Sequence, residues 1–174
     1  MATRIILLRA VNVGGAQLPM AALRSLLSSL GATEVRTYIA SGNAVCDVPG
    51  DAAAFDRAVE KAIEQQFGFF RESISRTRDE LVAALSAHPF EVVDPKFSYV
   101  TFLAGTPTSE AIAKASAYPT GDDVWKVIGQ EQHIRFASGA GTPQMNAVGI
   151  AKALGVPGTA RNLRTVQALI DLSA

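Results

Sequence analysis

Ile5-Ile6-Leu7-Leu8-Arg9-Ala10-Val11-Asn12-Val13-Gly14-Gly15 begins as an unbroken apolar run and ends in a glycine loop. Residues 5–8 do not alternate in polarity, so the run predicts a strand covered on both faces. Working outward, Pro19 opens a helix at a position where a missing N–H costs nothing. Met20, Leu23, Leu26, Leu27 and Leu30 follow helical spacing, and Gly31 stops the helix. Val35 to Ile39 is rich in strand formers, Ser41-Gly42-Asn43 makes a tight turn, and Ala44 to Cys46 returns as a strand. Asp51 caps a second helix whose apolar face carries Phe55, Val59, Ile63 and Phe67. Glu72 to Thr77 alternates and predicts an edge strand. The order β-α-β-β-α-β is the ferredoxin-like, split βαβ arrangement.

A helix from Arg78 to Ala87 and a turn-rich segment through Pro95 separate this unit from a second one. Phe97 to Leu103 predicts a strand and Thr108 to Ala117 a helix. Val124–Ile128 and His133–Phe136 form a hairpin around Gly129-Gln130. Helices follow around Met145 to Leu154 and Ala160 to Leu172. The expected fold class is therefore α+β, with two tandem ferredoxin-like halves at residues 1–90 and 91–174 packed as one compact unit. In this reading the second half lacks a clear last strand and ends in two helices.

Composition narrows the function. The 174 residues carry 16 basic and 16 acidic side chains, for a formal net charge of zero. That balance removes the excess of Lys and Arg from which generic nucleic-acid or anionic-membrane affinity arises. Hydrophobic residues at 48% and charged residues at 18% describe a folded chain and not a disordered one. A single cysteine, Cys46, allows no internal disulfide and reads as a buried, inert thiol in a strand. Two histidines and that cysteine do not make a usual zinc set, so no metal is expected. Gly14-Gly15 matches neither the dinucleotide fingerprint nor a P-loop, and no cofactor is expected. The apolar run after Arg4 is too short for a signal-peptide core or a membrane span, and the expected location is the cytoplasm.

The topology generates a candidate site. In a βαβ crossover the two strands run parallel, so the loop after residue 8 and the turn at 41–43 leave the same edge of the sheet. Arg9, Asn12, Ser41 and Asn43 would then converge beside Gly14, Gly15 and Gly42, where glycine lets a ligand approach the backbone. A guanidinium among such donors is the chemistry of an anion or carboxylate pocket. Asn and Gly also serve tight turns for backbone reasons alone, which is the competing reading. The segment from Gly158 to Thr165 reads as a helix start with Thr159 as N-cap and Arg161 and Arg164 in the first turn. Cations there oppose the helix dipole by about 0.3–1 kcal/mol each. A bound anion or a nearby carboxylate of the protein would offset that. Arg161 and Asn162 are thus further ligand candidates, and His88, before Pro89-Phe90, is the candidate acid or base.

These segments carry a resemblance. Leu7 to Gly15, Thr37-Tyr38-Ile39-Ala40-Ser41-Gly42-Asn43, His88-Pro89-Phe90 and Thr159-x-Arg161-Asn162-x-x-Thr165 resemble the signature blocks LLRGINVGG, TYIQSGN, HPF and TxRNWxTV of a bacterial family. It is the domain of unknown function family numbered 1697. Here Ala10-Val11 stands for Gly-Ile, Ala40 for Gln and Leu163 for Trp. The resemblance implies two related ferredoxin-like halves and no particular activity. Signature positions made of Arg, Asn, Ser, His and Gly in loops point to something besides packing.

Three functions follow as expectations. The first is binding of, or action on, a small anionic or nucleotide-like molecule at a polar site formed by the two converging loops and the C-terminal helix start, where Arg161 and Asn162 close it, with His88 or a carboxylate supplying any acid–base chemistry. The second is a protein-interaction or scaffold role, with pairing through the strand at 72–77. The third, an RNA-recognition module, is disfavoured, because Ile5, Leu7 and Val45 occupy the strand positions where such modules place aromatics. Catalysis and oligomeric state are left open.

Overall fold

The computed structural model describes residues 1–13 and 15–174. Its contacts divide the chain into two units, Met1–Val82 with Ala168–Ala174, and Ala83–Gln167. The first unit holds strands β1 (Ala2–Leu8), β2 (Thr33–Tyr38), β3 (Asn43–Val48) and β4 (Ser73–Arg76), with helices α1 (Met20–Ser29) and α2 (Ala52–Phe67). The sheet order is β2-β3-β1-β4, antiparallel throughout, with β4 at the edge as its alternation suggests. This is the ferredoxin-like order.

Both helices cover one face of that sheet. Ile6, Leu8, Ala44 and Cys46 from the strands pack with Leu23, Leu26 and Leu27 of α1 and Phe55, Val59 and Ile63 of α2. Ile5, Leu7 and Val45 on the opposite face are equally buried, which is why residues 5–8 show no alternation. The Asp51 side chain accepts from the Ala54 N–H at 2.9 Å and starts α2. Gly68, at a φ of 77°, ends it. A buried polar strap then ties α2 to β4. The Asp56 carboxylate accepts from the Ser73 and Ser75 hydroxyls at 2.9 and 2.7 Å, and Glu60 accepts from the Ser73 N–H at 2.9 Å. Burial raises the Asp56 pKa against the lowering effect of those two hydroxyls.

The second unit repeats the plan with β5 (Ser98–Leu103), α4 (Ser109–Ala115), β6 (Val124–Ile128), β7 (Glu131–Arg135), α5 (Ala147–Leu154) and β8 (Gly158–Asn162). Its sheet order is β6-β7-β5-β8, again antiparallel. Ile134, Phe136, Ala115, Ile150 and Leu154 form the core on its helix-bearing face. Two further helices, α3 (Arg78–Ser86) and α6 (Leu163–Leu172), follow β4 and β8.

One expectation is corrected. The second half does have its last strand, because Gly158–Asn162 pairs with β5 from Tyr99↔Asn162 to Leu103↔Gly158. Thr159 is therefore a buried strand residue and not an N-cap. Asn162 takes the cap position, accepting the Thr165 N–H at 2.8 Å. Arg161 lies in the strand, and only Arg164 meets the helix dipole. The strand is illegible because it is five residues long and its alternation puts an arginine, not an aliphatic residue, on the buried side.

A Cβ at Gly158 would sit 2.7 Å from Thr101 Cγ2 and 2.8 Å from Leu103 Cδ2. Gly158→Ala is expected to cost about 1–3 kcal/mol in urea unfolding through this crowding. Unchanged stability would contradict the pairing of β8 with β5.

Candidate functional site

β1 and β2 are each antiparallel to β3, so they run parallel and their C-terminal ends share one sheet edge. The Leu8 N–H donates to the Gly42 carbonyl at 2.9 Å, which brings the β1–α1 loop against the β2–β3 turn. Asn12 then joins them. Its Oδ1 accepts the Leu18 N–H at 2.7 Å, while its Nδ2 donates to the carbonyls of Leu18 and Ala40. Asn12 sits at a φ of +57°, a region in which Asn is among the few tolerated side chains. Gly42, at +83°, must be glycine, since a Cβ there would lie 2.5 Å from Val11 Cγ2 and 2.9 Å from Leu8 Cβ. Asn43 is fully buried and donates from Nδ2 to the Tyr38 carbonyl and to Ser41 Oγ, at 3.1 and 2.9 Å.

A third segment completes the rim. The Arg9 N–H donates to the Glu72 carbonyl at 3.0 Å, and its guanidinium meets the Glu72 carboxylate at 3.1 Å. Both side chains are partly exposed, which limits that pair to about 0–1 kcal/mol. Arg71 donates from Nε to the Ala10 carbonyl at 3.2 Å and lies 5.2 Å from the centre of the Phe69 ring. Val13, Ile39 and Phe70 on these three segments are 57%, 53% and 47% exposed, more than such side chains need to be. The rim thus combines two guanidinium groups, one carboxylate and an exposed apolar fringe.

The second unit holds a different polar cluster. His88 and His133 face each other with Nδ1 atoms 3.0 Å apart, so one ring donates and the other accepts. His88 Nε2 is buried without a partner. Placing the shared proton on His88 Nδ1 leaves that Nε2 as a bare lone pair, which costs less than an unpaired buried N–H. Burial, and then the neighbouring His88, push the His133 pKa down to about 4, while burial and then the Arg135 charge lower that of His88. Both rings are thereby held toward the neutral form. Across the sheet, Val100 pairs with His133 on one side and with Arg161 on the other. Arg161 is buried, bonded to Thr159 Oγ1 and the Ala160 carbonyl, and burial pushes its pKa to about 10.

The family model for the protein of unknown function DUF1697 matches residues 1–132. The chain belongs to DUF1697. The match includes the 7–15, 37–43 and 88–90 blocks, and the block at 159–165 lies beyond it. The conserved bacterial protein SP0830 from Streptococcus pneumoniae is similar over 99% of this chain and 98% of its own, at 21% identity and a TM-score of 0.79, which shows a shared fold. No curated protein matches the sequence.

The DUF1697 blocks sort by position. Asn12, Ser41, Gly42 and Asn43 come together at one sheet edge, Arg9 and Gly15 lie in the same β1–α1 loop with Arg9 turned to Glu72, and Gly14 lies outside the described residues. His88, Arg161 and Asn162 belong to the second unit. Asn12 and Asn43 spend their amides within the turns, as the turn reading had it, and Asn162 caps α6, a role the sequence reading gave to Thr159. Arg71, Glu72 and His133 were missed as site residues. Nothing in their local pattern distinguishes Arg71 and Glu72, and His133 gains its partner only across 45 residues of chain. Among the described residues no three His, Cys, Asp or Glu side chains could hold a metal, and no helix is long and apolar enough to cross a membrane.

The histidine pair carries a pH signature. The folded His133 pKa of about 4 lies below the ordinary 6.5, so the unfolded chain binds more protons between those values. This contribution to stability is complete above pH 6.5 and is lost as pH falls toward 4. In urea titrations, His133→Gln is expected to show a shallower loss of stability across that window than the native chain. Identical slopes would contradict the buried, neutral pair.

Proposed function

We propose that the first unit binds a small anionic ligand at the rim where the β1–α1 loop, the β2–β3 turn and residues 69–72 meet, with Arg9 as the principal cation. The observation that carries this reading is where the backbone strain lies. Among the described residues four non-glycine positions have positive φ, and Ala10, Asn12 and Ile39 are three of them. A β-branched Ile39 at +49° that is also half exposed gains nothing from burial to offset a cost of about 1–3 kcal/mol. Strain of this kind concentrates where a surface is held ready for a ligand. Arg9 is solvent-accessible and held only by an exposed pair with Glu72, so an incoming anion competes with one weak contact.

A protein-interaction role is the second reading, and the exposed Val13, Ile39 and Phe70 favour it. Light scattering over a concentration series separates the two, since a ligand site leaves the mass unchanged.

In thermal-shift titrations with phosphate, pyrophosphate, citrate and adenosine monophosphate, at least one anion is expected to stabilise the native chain. Arg9→Ala should abolish that shift, and Glu72→Gln should enhance binding by up to roughly fivefold through release of Arg9. A shift of equal size in Arg9→Ala would overturn the assignment.

A further inference from the structure

The second unit contains a hollow of about 300 Å³ lined by Val93, Asp94, Phe97, Ser98, Arg135 and Phe136. It lies where β5 begins and β7 ends, and Ser98 and Arg135 are direct cross-strand partners whose side chains stand on one face. Its two charged linings are opposite in sign and unspent. The Arg135 guanidinium makes no hydrogen bond or ion pair among the described residues, and only the backbone of Arg135 is paired, in the β7 ladders. Asp94 uses Oδ1 to accept the Lys96 N–H at 2.9 Å, and its carboxylate meets no cation. Ser98 is fully buried, and its hydroxyl has no partner. Val93, by contrast, is 80% exposed, an aliphatic side chain left in water beside the opening.

We infer that this hollow is a binding site for a small zwitterion with an apolar body, namely a free α-amino acid with an aliphatic or aromatic side chain. The carboxylate would take Arg135, whose planar fork suits two parallel N–H···O bonds. The ammonium would take the free oxygen of Asp94, and the side chain would cover Val93 and Phe97. A simple carboxylate satisfies Arg135 but leaves Asp94 facing it as a like charge, and a simple amine has the converse defect. Size agrees, because pockets for small molecules run from about 300 to 1,000 Å³, and this one sits at the bottom of that range. The site is separate from the rim of the first unit, so either assignment can fail without the other.

The test is calorimetric titration of the full chain with L-phenylalanine, 3-phenylpropionate and phenethylamine. L-phenylalanine is expected to bind saturably and more tightly than either analogue, and Arg135→Met and Asp94→Asn should each weaken it about tenfold or more. Asp94→Asn keeps an acceptor for the Lys96 N–H, so the fold is retained. A second readout is the His88 ring in NMR. Burial first and the Arg135 charge second hold its pKa low, so a carboxylate on Arg135 should raise it. No binding of L-phenylalanine at millimolar concentration, equal affinity for 3-phenylpropionate, or affinity unchanged in Arg135→Met would each overturn the assignment.

Discussion

The first unit depends on a clasp made by one asparagine. Asn12 spends both ends of its amide on backbone that lies outside its own turn, accepting from Leu18 and donating to Leu18 and Ala40. Only a side chain that both donates and accepts, and that tolerates a φ of +57°, can do this. Aspartate lacks the donors and serine the reach. The clasp fixes the entry to α1 and the position of the β2–β3 turn together, and Gly42 allows the two backbones to approach without a Cβ between them. Arg9, Val13 and Ile39 are then presented from a surface that cannot easily relax.

The parallel exit of β1 and β2 follows from the βαβ connection, so the meeting of the Asn12 loop with the 41–43 turn is legible in the sequence. What composition and spacing do not reveal is where an amide points. Asn12, Asn43 and Asn162 occupy signature positions, yet their amides are occupied by the protein itself. The charged side chains at the rim, Arg9 with Arg71 and Glu72, include two from a segment with no motif of its own.

The second unit shows the opposite failure. Gly158–Asn162 hides as a strand because the residues on its buried side are Thr159 and Arg161, and patterns are read from aliphatic residues. His133 likewise alternates onto a buried face and looks structural until its Nδ1 meets that of His88. Buried polar groups with long-range partners are the class that single-sequence reasoning misses, since each partner is chosen by register and not by spacing. The same register places Ser98 beside Arg135, which no local motif marks.

The Asn12 clasp is measured most directly by native-state hydrogen exchange at the Leu18 amide. That amide donates 2.7 Å to Asn12 Oδ1 from a loop residue with no helical or ladder partner of its own. Exchange close to the global unfolding limit is expected in the native chain and markedly faster exchange in Asn12→Ala, with β1 amides little changed. Leu18 exchange at the rate of an open loop in the native chain, or equal protection in Asn12→Ala, would contradict it.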